Sequence, residues 1–245
     1  FDIDGTLINS SRIGRAALGR ALLDVFNTMG ALDTYEFAGK TDRRIVRDLM
    51  MAEGWSSEAI ESRLPELDER MAEAGRVLYT TETIWASPGI TSLLDTLQLR
   101  DGVTLGLLTG NIRHTTPLKL RAAGIDPSLF IDGAYGSDSL DRNDLFEIAV
   151  DRVRRTTGLE FTGDDVIIIG DTPADIRCAR EGGGKAVAVA TGPFTVELLG
   201  SYQPDYLFAD LANTEEVVKV LLGLANGAGQ TRRDFCDAHT QKSRY

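Results

Sequence analysis

Phe1-Asp2-Ile3-Asp4-Gly5-Thr6-Leu7 opens the chain. Read as the end of a strand running into a tight turn, it sets two carboxylates side by side. Side chains of an extended segment alternate with a period of two, so Asp2 and Asp4 face alike. Gly5 then lets the backbone turn without a Cβ penalty. Two acids this close repel each other unless a cation or a shared proton relieves them. Asp-Gly is also an ordinary surface turn, so the reading needs support from the rest of the chain.

Working outward, residues 10–86 read as helical. Ser10 and Ser11 are candidate caps for a helix with Leu18, Leu22, Val25, Phe26 and Met29 at three- and four-residue spacing, closed by Gly30. A loop, Phe37-Ala38-Gly39-Lys40-Thr41-Asp42, leads to a second helix with Ile45, Val46, Leu49 and Met50, ended by Gly54. Ser56 or Ser57 starts a third, with Pro65 as a kink or a fresh start. No strand signal interrupts this stretch.

Beyond Pro88-Gly89 the pattern changes to alternating strands and helices. Strands are expected at Val103 to Leu108, Phe130-Ile131, Val166 to Ile169, Ala186 to Ala190 and Tyr206 to Phe208. The unmixed apolar run at 166–169 is the mark of a central parallel strand. Helices between these strands, including one capped by Asp141 and ended by Gly158, argue for βαβ units. The expected fold is α/β, a doubly wound parallel sheet made of 1–9 and 87–225, with a helical insert over 10–86. The tail, 226–245, has no period and reads as disordered.

Composition bounds the function. The 245 residues carry a net charge of −11, which argues against a nucleic-acid binder. No apolar run is long enough to span a membrane. Cys178 and Cys236 have no metal-ligand spacing, and His114 and His239 are the only histidines, so neither a zinc site nor a catalytic triad is indicated. A reducing cytoplasm is the expected compartment. The chain opens at Phe1 inside what reads as a strand, so a clipped first strand is the expectation. Oligomeric state is not readable.

Ligands of open parallel sheets bind beyond the carboxyl ends of the strands, and the polar residues collect there. Asp2 and Asp4 follow the first strand, Thr109-Gly110-Asn111 the second, Arg142 the loop after the third, and Asp171 and Asp175 the fourth. A hard cation such as Mg²⁺ prefers oxygen ligands, and Asp2, Asp171 and the Asp4 carbonyl are candidates. Asp2 is placed to attack phosphorus, and Asp4 to protonate the leaving group and later activate water. Thr109, with the N–H groups of Gly110 and Asn111, is placed to grip phosphoryl oxygens. Arg142 would offset their charge.

Phe-Asp-Ile-Asp-Gly-Thr-Leu, Leu-Leu-Thr-Gly-Asn and Ile-Gly-Asp-Thr-Pro-Ala-Asp together resemble the signature motifs of the haloacid dehalogenase-like superfamily, from Phe1 to about Leu222. The resemblance implies Asp2 as nucleophile, Asp4 as acid/base, Thr109 as phosphate binder and Asp171 as magnesium ligand. It gives Asp175 a supporting, hydrogen-bonding role. The insert is similar to the small cap of phosphoglycolate phosphatase-like members, with Gly39, Lys40, Thr41 and Arg43 where that cap meets substrate. The third motif usually has Lys; here Arg142 stands in Asp141-Arg142-Asn143-Asp144, with Lys119 as the alternative source of charge.

The implied activity is Mg²⁺-dependent hydrolysis of a small phosphorylated metabolite through an aspartyl-phosphate. A phosphosugar mutase of the same fold, and a phosphate-binding regulatory module without turnover, are the competing readings. Dehalogenase and phosphonate hydrolase are disfavoured because Asp4 is present.

Overall fold

The computed structural model describes residues 1–225. The expected disordered tail, with Cys236 and His239, lies outside the described residues. One half of the fold is built on a parallel sheet whose centre is the opening segment itself. Asp2 N–H donates to the Ile169 carbonyl at 2.9 Å, and Leu108 N–H donates to the Phe1 carbonyl at 2.8 Å. Residues 1–3 are thereby laid between β3 (Leu107–Leu108) and β5 (Ile167–Gly170). On one side β3 pairs in parallel with β4 (Gly133–Ala134). On the other, β5 pairs with β6 (Lys185–Val189), and β6 with β7 (Tyr206–Phe208), again in parallel. The chain therefore builds the sheet outward in both directions from its first residues, which makes that central segment the topological switch point.

Both faces of this sheet are buried, and the side chains divide between them with the strand period of two. Leu107, Ile169, Val187 and Val189 join a cluster with α4 (Ile90–Leu97), α5 (Thr116–Ala122) and α9 (Thr214–Ala225). Leu108, Ile168, Ala186 and Ala188 join another with α6 (Asp144–Thr157), α7 (Pro173–Glu181) and α8 (Val196–Ser201). The apolar run at 166–169 is needed on both faces, which is why it shows no alternation of polarity.

The chain leaves and re-enters this half through a two-stranded antiparallel ribbon, β1 (Ile8–Ser10) against β2 (Ile84–Ala86). Between them α1 (Ile13–Phe26), α2 (Asp42–Ala52) and α3 (Ser57–Leu78) share a separate apolar cluster centred on Leu18, Leu22, Ile45, Met50 and Leu67. Thr41 caps α2 by accepting from Arg44 N–H, and Ser56 caps α3 by accepting from Ala59 N–H. The helix α3 runs on through Pro65, because its buried stripe of Ile60, Leu67 and Met71 outweighs the rung that proline removes.

Several local expectations are corrected. Ser10 does not cap α1; it pairs with Ile84 in the ribbon, and Arg12 takes the capping position with φ 59° and no side-chain cap bond. Strand β2 lies within the stretch that reads as wholly helical, too short to leave a period. Phe130-Ile131 precedes the third strand rather than forming it, since pairing is centred on Gly133–Ala134. Phe130 instead meets the Phe1 ring edge-on at 6.3 Å. Among the described residues, no helix is long and apolar enough to cross a membrane.

Candidate active site

The turn after the central segment fixes the geometry. Gly5 adopts φ +82°, and its N–H donates to the Ile8 carbonyl at 2.7 Å. A Cβ on Gly5 would lie 2.3 Å from Asp171 Oδ2, so glycine is required for the two strand ends to approach. Thr6 Oγ1 donates to Asp171 Oδ1 at 3.3 Å, and Thr191 Oγ1 donates to the Gly5 carbonyl at 2.5 Å.

Asp2, Asp171 and Asp175 converge beyond the strand ends, each offering a carboxylate oxygen within 4.8 Å of the others. All three are buried. Burial raises the Asp2 carboxyl to about 6; Arg142 opposes that shift, while Asp175 and Asp4 add to it. Burial, then Asp2 and Asp175, push Asp171 well above the ordinary carboxylate range. Such crowding is what a bound cation relieves. An all-oxygen donor set of buried carboxylates suits a hard divalent ion, so the residues present fit a metal. Asp175 is the least free of the three. Its Oδ1 accepts from Arg142 Nη2 at 2.6 Å, and its Oδ2 accepts from Thr172 N–H and Oγ1 at 3.0 and 2.7 Å. Those bonds suit a positioning role better than direct ligation.

Arg142 bridges Asp2 Oδ1 at 2.9 Å and Asp175 Oδ1 at 2.6 Å. Burial opposes its charge, but the two carboxylates raise its pKa. Its Nε is buried with no hydrogen-bond partner among the described residues.

Asp4 has a different set of partners. Its carboxylate accepts from Lys119 Nζ at 2.7 and 2.9 Å and from Asn111 Nδ2 at 2.7 Å. Thr109, fully buried at the end of β3, accepts from Asn111 Nδ2 at 2.9 Å. Gly110 permits a close contact with the helical insert, since a Cβ there would meet the Lys40 carbonyl oxygen at 2.2 Å. The Gly110 carbonyl accepts from Asp42 N–H at 2.7 Å. Asp42 Oδ2 in turn accepts from Ile112 N–H at 2.9 Å. Burial of that carboxyl group raises it to about 6, against Lys119.

These groups line one cavity of about 710 Å³. Asp2, Asp4, Thr109, Gly110, Asn111, Lys119, Arg142 and Asp171 line it from the sheet ends and the helices and loops beside them, with Gly39, Lys40, Tyr35 and Phe37 from the insert. Lys40 Nζ stands 3.9 Å over the Tyr35 ring. Two residues expected to meet substrate are engaged elsewhere. Thr41 is buried as the α2 cap and donates to the Leu140 carbonyl at 3.2 Å. Arg43 forms a two-bond pair with Asp68 at 2.6 and 2.9 Å and lines a neighbouring groove. The sequence pattern does not single out Asp42, Thr6 or Gly192. Asp42 reads as a first-turn helix acid, and Gly192 has no motif around it.

Gly192 tests the packing directly. A Cβ there would lie 1.7 Å from Asp171 Oδ2. Gly192→Ala is expected to displace Asp171 and raise the metal concentration for half-maximal activity by ~10–100-fold. Gly223→Ala, whose Cβ meets nothing within 4 Å, is the control with no such shift.

Comparison with known proteins gives the family and the fold. Residues 1–189 match the haloacid dehalogenase-like hydrolase family. The chain is 24% identical over 223 residues to the pyrophosphatase PpaX of Anoxybacillus flavithermus, covering 90% of this chain and 95% of that one. A hydrolase structure from Pseudomonas syringae superposes with a TM-score of 0.66 at 24% identity, covering 90% and 97%. A predicted phosphoglycolate phosphatase from Haemophilus somnus gives 0.60 at 21%, covering 89% and 96%. With residues 1–189 matched, the chain belongs to the haloacid dehalogenase-like hydrolases.

Proposed function

We propose that this protein is a Mg²⁺-dependent phosphomonoester hydrolase that acts on a small organic phosphate through an aspartyl-phosphate on Asp2. In this reading 10–86 is a cap over a core made of 1–9 and 87–225. The observation that carries it is the pairing of two carboxylates with opposite surroundings. Asp2 is buried and bound to Arg142 within the metal-type trio, while Asp4 keeps a side chain 44% exposed to the cavity and bound to Lys119. Two acids two residues apart with different partners can hold different roles.

Asp2 attacks phosphorus as the ester P–O bond breaks, and the departing oxygen takes a proton from Asp4. Water then attacks the acyl-phosphate phosphorus and gives its proton to Asp4, while the Asp2–phosphorus bond breaks and the Asp2 carboxylate returns. Thr109, with the Gly110 and Asn111 N–H groups, binds phosphoryl oxygens. The unpaired Nε–H of Arg142 is a further donor for them. Held by Asp2 and Asp171, with the Asp4 carbonyl as a further ligand, Mg²⁺ would supply positive charge to the phosphoryl group. On the insert, Gly39 and Lys40 reach the cavity and would read the substrate; Thr41 and Arg43 would serve by holding that loop in place.

The test is release of inorganic phosphate from a panel of phosphorylated metabolites with Mg²⁺ and with EDTA. Chelator-sensitive release is expected. Retention of the phosphoryl group on a sugar phosphate would favour the mutase instead, and no turnover on any ester would defeat the reading.

A further inference from the structure

We propose that Lys119 is a positioning residue for Asp4, and that its ammonium serves the proton-transfer carboxylate rather than the phosphoryl group. This rests on the phosphatase reading above. Lys119 lies on α5 and is 4% exposed. Its Nζ donates to both Asp4 oxygens at 2.7 and 2.9 Å and to Asn111 Oδ1 at 2.6 Å. An ammonium has three protons and no other valence for hydrogen bonding, so these contacts use it fully. Asn111 closes the ring, donating from Nδ2 to Asp4 Oδ2 and to Thr109 Oγ1. The residue that aims the phosphate-binding hydroxyl thus also aims the proton donor.

The insert seals this arrangement. Gly14 on α1 comes so close that a Cβ there would lie 3.2 Å from Lys119 Nζ. The Tyr79 ring stands 5.9 Å from the same atom. Lys119 is therefore kept from water by residues of the insert while its partner remains open to the cavity. A charge-assisted pair in such surroundings fixes a carboxylate more firmly than the same pair in water.

The consequence can be measured through leaving groups. An alkyl phosphate needs its departing oxygen protonated as the P–O bond breaks, whereas p-nitrophenolate leaves as a stable anion and needs no proton. A residue acting through Asp4 must therefore matter for the first and little for the second in kcat/KM, which reports the phosphoryl-transfer step. Lys119→Met removes the charge at similar length. It is expected to lower kcat/KM for an alkyl phosphate by ~10²-fold, the usual worth of a positioned general acid, and for p-nitrophenyl phosphate far less. In an Asp4→Asn background the same change should cost nothing further, since residues acting as one unit are not additive. The double variant removes both charges of the pair together, so the comparison with Asp4→Asn survives even if Lys119→Met alone does not fold. Equal losses on the two substrates, or a further multiplicative loss in the Asp4→Asn background, would overturn the proposal. A wild-type enzyme that releases no phosphate from either ester would instead overturn the phosphatase reading.

Discussion

Asp2→Asn is expected to lower phosphate release by ~10⁴-fold or more, the loss typical of removing a nucleophile, while leaving the fold intact. The amide keeps an oxygen at the Oδ1 position, so it can still accept from Arg142 Nη2, which lies 2.9 Å from that atom in the wild type. It also removes one of three acids crowded within 4.8 Å, so the metal-free protein should be at least as stable as the parent. Phosphate release and thermal unfolding, measured on the same preparation, check the two halves. A variant that is folded and fully active would eliminate Asp2 as nucleophile. A variant that is inactive because it is unfolded would show that Asp2 holds the structure.

Divalent cation should stabilise the protein, and by more at neutral than at acid pH. Asp2 rises from 3.8 to about 6 in the folded chain, Asp42 does the same, and Asp171 shifts in the same direction. Burial heads the causes in all three. Acids raised in this way hold protons in the native state that the unfolded chain has released. The stability they contribute is therefore fully present below about 3.8, and it is lost as pH rises through about 6. Metal-free protein should thus lose stability as pH rises from about 3.8 to about 6, with Asp171 contributing in the same direction. A cation must compete with those protons, so its effect runs the other way. At a hundredfold excess over its dissociation constant, Mg²⁺ should add about 2.7 kcal/mol, or roughly 5–10 °C in Tm for a chain of this size. Near pH 5 most of that gain should vanish. A gain in Tm independent of pH would mean that the ion binds away from the Asp2 and Asp171 carboxylates.

The parts of the site legible in the sequence are those a strand end presents directly. Thr109 and Asp171 each follow an apolar run and Asp2 and Asp4 stand in the opening segment, and the parallel topology brings such ends to one rim whatever their separation along the chain. Partnership between side chains is less legible. Arg142 and Lys119 both read as candidates for one positive role. In the fold Arg142 binds Asp2 and Asp175 and Lys119 binds Asp4, because α6, which Arg142 precedes, and α5, which carries Lys119, pack on opposite faces of the sheet. Arg43 illustrates the same limit. Its place at the start of α2 suggests contact with substrate, but a helix start fixes only where the backbone lies. Asp68, on a different helix, takes up the guanidinium. Short elements are also hard to read, since a three-residue strand such as β2 carries too little pattern to stand out from its helical neighbours.

The central claim is that Asp2 carries the phosphoryl group during turnover. The most direct test is borohydride quenching of the enzyme during steady-state hydrolysis, followed by peptide mass spectrometry. Hydride reduces an acyl-phosphate to an alcohol, so Asp2 should appear as homoserine, only with substrate present, and not in Asp2→Asn. Recovery of Asp2 unreduced while a different residue carries the modification, under conditions where phosphate is being released, would contradict the account.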